Sequence, residues 1–327
     1  MTQFILCLFV LLIVFFIGVI YLMVRFSTRK RKAEALWKKS SVNIIKDLGA
    51  TTSLEILPLV DWYTSQDDLK GELGVSYLIK TDRVSILFDV GHNSKQEDPS
   101  PLLHNMKQLR ITLDDFSVIV ISHNHEDHVG GMKWKKMHSF SLTNHQIHLN
   151  SKAVYTPIPM TYPGLNPVYA KDPTIISAGI STIGTISNPL FFLGWISEQA
   201  LAINVAGKGI VVIVGCGHQT LPKMLSRVDA LFNERLCGFV GGLHYPATDS
   251  RVIQFGIKRQ RYVGSGKAPW DPPTMNDVRE NIELLKKWNP KVVALSPHDS
   301  CDSSIAQFRK AFPDEYREIR VGERIII

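Results

Sequence analysis

Cysteine is scarce in this chain, with four among 327 residues, and one of them, Cys7, lies inside an apolar N-terminal run. The other three, Cys216, Cys237 and Cys301, are scattered and form no CxxC pair. That excludes a disulfide framework and a zinc clip of the finger type, and it agrees with a reducing compartment. Concentrated positive charge is equally sparse. The formal charge of +7 would suit nucleic acid, but apart from one knot behind the N-terminal run the basic residues are spread out, so no nucleic-acid partner is expected. Internal repeats and low-complexity tracts are missing as well, and disorder is not the default reading. What is present is 45% hydrophobic content in a chain long enough for one large globular domain or two smaller ones with a real core.

The one long apolar run is FILCLFVLLIVFFIGVIYLMV, Phe4 to Val24, without a charge. As a helix it would cross a hydrocarbon layer of about 30 Å. It lacks the basic start, short apolar region and small-residue cleavage site of a signal peptide, so a transmembrane anchor is expected over residues 1–25. Arg25, Arg29, Lys30, Arg31 and Lys32 follow at once. The positive-inside rule then places a single-pass protein with its following domain in the cytoplasm. Residues 26–52 read as a basic juxtamembrane stalk with an amphipathic helix over AEALWKKSSVNIIKDL, and residues 53–327 as the domain.

From Ser53 on, LEILPLV, GVSYLIK and VSILFDVG are short, β-branched runs bounded by turn residues, as strands are. FSVIVI, HQIHL, AVYT, TIISAG, ALAINV, GIVVIVGC, LCGFVGG and KVVALS read the same way. PSPLLHNMKQL, QTLPKMLSRV, NDVRENIELLKKW and SSIAQFRKAF read as helices. Strand runs in both halves, each closed by helices, predict an α/β domain built as a four-layer αββα sandwich behind the N-terminal helix. One loop, Gly256 to Thr274, is unusually rich in glycine, proline and base.

Directly behind FSVIVI stands SHNHEDHVGG, with His123, His125, Asp127 and His128 spaced as HxHxDH. Residues i and i+2 at a strand end point the same way, so His123 and His125 can grip one ion together, while Asp127 and His128 face a second position after the turn. Burying four such side chains unpaired would cost several kcal/mol. A metal site is therefore expected.

HxHxDH followed by a glycine pair resembles the metallo-β-lactamase fold superfamily, and ILFDVG, with Asp89 and Gly91, resembles the strand and aspartate turn before that signature. More narrowly, LPLVDW, GELGVSYLI, GCGH at 215–218, GGLH at 241–244 and SPH at 296–298 resemble the branch labelled dihydropteridine-linked ribofuranosylaminobenzene phosphate synthases. The resemblance implies that a later histidine completes a first metal, an acidic residue bridges, and a final histidine completes a second. His218, His244 and His298, each behind a strand-like run, are the candidates, His244 as a ligand or a substrate contact. GCGH departs from the Gly-Asp pair common among relatives. Cys216 either bridges or binds the second metal, or is a small residue packed under a tight turn with no bridging carboxylate, so one or two ions remain open. Asp89 is expected to orient a ligand histidine, His92 could line the pocket, and His138, His145 and His148 are not expected as ligands.

Zn²⁺ held by imidazoles and one carboxylate supplies hydroxide by lowering the pKa of bound water to about 7; Mn or Fe would also fit such donors. Hydrolysis of an ester, foremost a phosphoric one in a phosphodiester or lipid-like substrate, is the expected activity, with Asp127 as the catalytic group that orients or deprotonates the water. Lys258, Arg259, Arg261 and Lys267 in the 256–274 loop would favour an anionic substrate if that loop lies over the metal. The rival expectations are a di-iron redox member of the same fold and a non-catalytic metal-binding protein tethered to the membrane.

Overall fold

The computed structural model describes residues 2–327, so Met1, the first residue of the expected anchor, lies outside the described residues. A helix α1 (Thr2–Lys39) precedes β1 (Leu54–Val60), β2 (Ser76–Thr81), β3 (Ser85–Phe88), α2 (Pro101–Gln108), β4 (Val118–Val120), α3 (Met132–Lys136), β5 (Ala153–Thr156) and β6 (Val168–Tyr169). Then come β7 (Ile175–Ser177), β8 (Ile180–Thr182), β9 (Ile186–Leu190), β10 (Gly194–Glu198), β11 (Leu201–Val205), β12 (Gly209–Val214), α4 (Leu221–Leu231) and β13 (Leu236–Gly241). The chain closes with β14 (Ile253–Gln254), β15 (Ile257–Lys258), α5 (Arg259–Val263), α6 (Met275–Lys286), β16 (Val292–Leu295), α7 (Asp302–Ala311) and β17 (Ile325–Ile326).

The strand runs are apolar throughout because both faces of each sheet are covered. Along β1, Ile56 enters the core between the sheets and Leu57 the core beneath α2 and α3. Along β12, Val211 and Ile213 face the first sheet while Val212 and Val214 face α4, α6 and α7. The first sheet has the order β17-β1-β2-β3-β4-β5-β6, the second β16-β13-β12-β11-β8-β7. Helix, sheet, sheet, helix is the expected αββα sandwich. In the first sheet β3, β4, β5 and β6 are parallel, and in the second β12, β13 and β16 are. Loops leaving the carboxyl ends of such strands are where an α/β sheet gathers its functional groups.

Three local expectations change. HQIHL forms no strand: Tyr162 Oη donates to Ile147 O at 2.7 Å and Ser141 Oγ to His145 O at 2.5 Å, so side chains satisfy this backbone where a neighbouring strand would have done so. The helix expected through Leu48 stops at Lys39, where Ser40 Oγ takes the Trp37 carbonyl at 2.7 Å. Beyond it the chain runs extended under α4, with Ile45 N donating to Leu231 O and Leu48 buried in that core. Residues 186–198, read as no element, form the β9–β10 hairpin. Its Asn188-Pro189 step argues against a strand in sequence, yet proline is tolerated on an isolated two-stranded hairpin. The segment 26–52 packs on the domain, with Phe26 and Ala33 buried.

Candidate metal centre

Strand β4 delivers the first half of the site. Behind it, the carboxylate of Asp89, a residue held at φ 59°, accepts from Ser122 N and from Ser122 Oγ, both at 2.6 Å. Ser122 Oγ lies 2.9 Å from His123 Nδ1, and Asp89 Oδ2 lies 2.7 Å from His128 Nδ1. With its hydroxyl hydrogen given to Asp89, Ser122 can only accept, so His123 carries its proton on Nδ1; a carboxylate likewise takes the proton of His128 Nδ1. His123 thus turns a bare Nε2 inward, and His128 offers its Nε2 once a cation takes the place of the second ring proton. Gly130 follows at φ 87°, where a Cβ would collide with the Ser141 carbonyl, so only glycine lets this loop close over the next segment.

The second half comes from the ends of β10, β12, β13 and β16. His298 Nδ1 donates to Ser296 Oγ at 2.6 Å, and that hydroxyl donates to Asp61 Oδ2 at 2.6 Å. This Asp–Ser–His relay mirrors the one behind β4 and leaves His298 Nε2 facing inward too. The GCGH turn is fastened by Glu198, whose carboxylate accepts from Cys216 N at 2.9 Å, Gly217 N at 3.0 Å and His218 N at 2.7 Å. Gly217 sits at φ 71°, and a Cβ there would come within 2.6 Å of the Gly242 carbonyl oxygen, so the place is for glycine alone.

The donors converge in three groups that share one atom, Cys216 Sγ. His123, Cys216 and His218 form the first, each offering a donor atom within 4.8 Å of the others. His125 stands against it, its ring centroid 4.7 Å from that of His123 and 5.0 Å from that of His218. Asp127, His128, Cys216 and His298 form the second. Cys216 Sγ lies 3.1 Å from Nε2 of both His128 and His298, so it is more than a small residue packed under a turn. A third group, Cys216, His244 and Asp299, lies to one side. His138, His145 and His148 are exposed and away from the cluster.

Among the described residues, His123 Nε2, both ring nitrogens of His218, and His244 Nδ1 are buried without a hydrogen-bond partner. Several orphaned lone pairs in one place fit a cation that takes them as ligands. Electrostatics fit as well. Burial first, then the neighbouring imidazoles, hold His123, His218 and His298 well below the ordinary histidine value, hence neutral and able to ligate. Burial likewise brings His125 and His244 down to about 4. Burial also opposes charge on His128, but Asp127 and Asp89 outweigh it and raise the ring to about 9. Burial and then the surrounding carboxylates push the Cys216 thiol up, so its thiolate needs a cation beside it. Burial raises Asp61 to about 6 and Glu198 to about 7.

A cleft of about 200 Å³ opens over these groups, with His92, His125, Asp127, Cys216, His218 and His244 on its floor. The 256–274 loop covers its mouth through Arg259, Val263 and Gly264. Of the four bases expected there, Arg259 lines the cleft. Lys258 Nζ instead donates to Thr248 O and Lys267 Nζ pairs with Asp277, both at 2.7 Å.

Residues 69–135, which hold the first cluster, match the model of the metallo-β-lactamase superfamily. A metal-dependent hydrolase of the β-lactamase superfamily superposes with a TM-score of 0.55 at 19% identity, over 84% of this chain and 99% of that one. Its fold is that of the metallo-β-lactamase superfamily. The metallo-β-lactamase fold protein YhfI from Bacillus subtilis superposes over 84% of this chain and all of its own, with a TM-score of 0.50 at 11% identity. In sequence, the chain is 23% identical over 265 residues to 7,8-dihydropterin-6-methyl-4-(β-D-ribofuranosyl)-aminobenzene-5'-phosphate synthase from Methanocaldococcus jannaschii, covering 68% of this chain and 88% of that protein.

On this metallo-β-lactamase fold, sequence reasoning missed Glu198, Asp61, Ser296 and Asp299. Asp61 and Ser296 stood inside LPLVDW and SPH, so their motifs were visible even though their pairing was not. Glu198 had no signal, because nothing in ISEQ shows that the residue will cap a turn 18 positions on.

Proposed function

We propose that the protein is a membrane-anchored, metal-dependent hydrolase of an ester, foremost a phosphoric one. The observation that carries this reading is the convergence of unpartnered imidazole nitrogens, Cys216 Sγ and the Asp127 carboxylate on the floor of one cleft. His123, His125 and His218 would hold one ion, and Asp127, His128 and His298 a second, with Cys216 shared; His244 stands at the edge as a ligand or substrate contact. Nitrogen and sulfur donors favour zinc over manganese or iron. When bound, such an ion supplies a Lewis acid and a water that ionises at about pH 7.

The chain's own groups do the rest. The Asp89 and Asp61 relays fix the tautomers of His123 and His298 and the orientation of His128 before any ligand arrives. Burial opposes ionisation of Asp127, but the imidazoles of His128, His125 and His298 outweigh it and hold the carboxyl below its usual range. It is therefore ionised at neutral pH and able to orient a water or accept its proton. Arg259 at the mouth suits a phosphoryl oxygen. The helix α1, with none of its apolar run buried, supports the anchor, and the basic residues behind it support a cytoplasmic domain.

The full-length protein, purified and assayed for metal, is expected to hydrolyse bis(p-nitrophenyl) phosphate only while its metal is kept. Retained turnover after chelation, or in Asp127→Ala, would refute the mechanism. The synthase name of the archaeal relative favours a second reading, in which an acceptor other than water takes the transferred group at the same site. Products formed in ¹⁸O-labelled water separate the two, since only hydrolysis incorporates the label.

A further inference from the structure

We propose that the mouth of the cleft rests on the bilayer crossed by α1, so that the site draws an amphiphilic ester from the lipid layer; the ester rests on the hydrolase reading above, and the docking on the anchor reading alone. The direction of α1 relative to the domain is fixed. Arg25 Nη2 donates to Phe191 O at 3.2 Å, Phe26 is buried with its ring 5.4 Å from that of Phe191, and Lys223 Nζ pairs with Glu34 at 2.5 Å. Phe26 stands two residues past Val24, about 3 Å along the helix axis. The turn between β9 and β10 therefore sits where the apolar run ends, at the depth where hydrocarbon gives way to headgroups.

At that level the domain shows side chains that water does not favour. Phe192 is 47% exposed, Leu193 42% and Trp270 61%, and the Trp270 ring lies 5.4 Å from that of Phe191. Across the mouth, the β14–β15 hairpin carries Phe255 at 93% exposure. Leu193 and Val252 line the cleft itself, so these two loops are its lips. A second cavity, about 350 Å³, runs from His218 and His244 to Lys30 on α1, about 9 Å along the axis beyond the apolar run, which is headgroup depth. Aromatic and apolar lips continuous with a spanning helix and flanked by Arg25, Arg29 and Lys30 match a bilayer surface bearing anionic lipid.

The test uses the full-length protein in phosphatidylcholine–phosphatidylglycerol nanodiscs. Trp270 fluorescence is taken as the difference between the wild type and Trp270→Phe, with doxyl-labelled phosphatidylcholine and aqueous iodide as quenchers. Loss of that fluorescence to the shallow doxyl label and protection from iodide is expected. Quenching by iodide alone would overturn the docking, and so would shielding from both, which would mean that a protein surface covers the patch. With activity as readout, Phe192→Asp and Phe255→Asp should lose turnover of a long-chain phospholipid in vesicles and keep that of bis(p-nitrophenyl) phosphate in solution. Equal losses on both would overturn entry from the lipid layer. Should the wild type turn over neither, the hydrolase reading falls and the quenching result alone decides the docking.

Discussion

The two halves of the candidate metal centre are built alike and encoded differently. Behind β4, one aspartate and one serine orient His123 and His128, and every ligand-type residue lies within six consecutive positions. On the other sheet, Asp61 and Ser296 orient His298 across 237 positions of chain, and Glu198 pins the turn that carries Cys216 and His218. One half is a motif; the other exists only in the folded state. The difference teaches that the contiguous half is robust to local error, whereas the dispersed half depends on buried carboxylates whose sole task is to accept from particular donors.

That contrast can be broken in order of expected effect. Asp127→Ala, at the tip of the contiguous half, should lower turnover by about 10²–10⁴-fold, the usual contribution of a positioned proton acceptor; steady-state kinetics with metal content measured in parallel checks it. Glu198→Ala leaves three backbone N–H groups without an acceptor at about 1–3 kcal/mol each, so urea unfolding should show a loss of several kcal/mol. Glu198→Gln, which keeps an oxygen acceptor, should recover part of that loss. Removing the metal by chelation should lower stability by about 2.7 kcal/mol relative to protein held at a free-metal concentration of about 100 Kd, seen as a fall in Tm.

Smaller effects compare the relays directly. Asp89→Asn and Asp61→Asn should each weaken metal affinity by about 10–100-fold in competition titrations, as loss of an orienting partner does. Asp89→Asn should be the worse of the two, because Asp89 reaches two imidazoles and Asp61 only one. Equal losses would mean that the halves are coupled and the contrast is artificial. His145→Ala, exposed and outside the cluster, should leave metal content unchanged.

The layered fold was legible because strands buried on both faces write continuous apolar runs, and the first cluster was legible because its metal-type side chains are neighbours in sequence. The β9–β10 hairpin was hidden by Pro189, and HQIHL looked like a strand because alternation cannot reveal that side chains of Tyr162 and Ser141 take its carbonyls. Cys216 was ambiguous for a related reason. Its neighbours in sequence are glycines, and only the approach of His128 and His298 from the loops behind β4 and β16 gives the sulfur a role.

The central claim is that Cys216 Sγ joins both groups of imidazoles at one metal centre. Cobalt(II) substitution of the full-length protein tests it most directly, since a thiolate ligand gives a near-ultraviolet charge-transfer absorption that imidazole and carboxylate ligands do not. The account predicts that band in the wild type and its loss in Cys216→Ser while cobalt stays bound. Cobalt bound by the wild type without the band would contradict it.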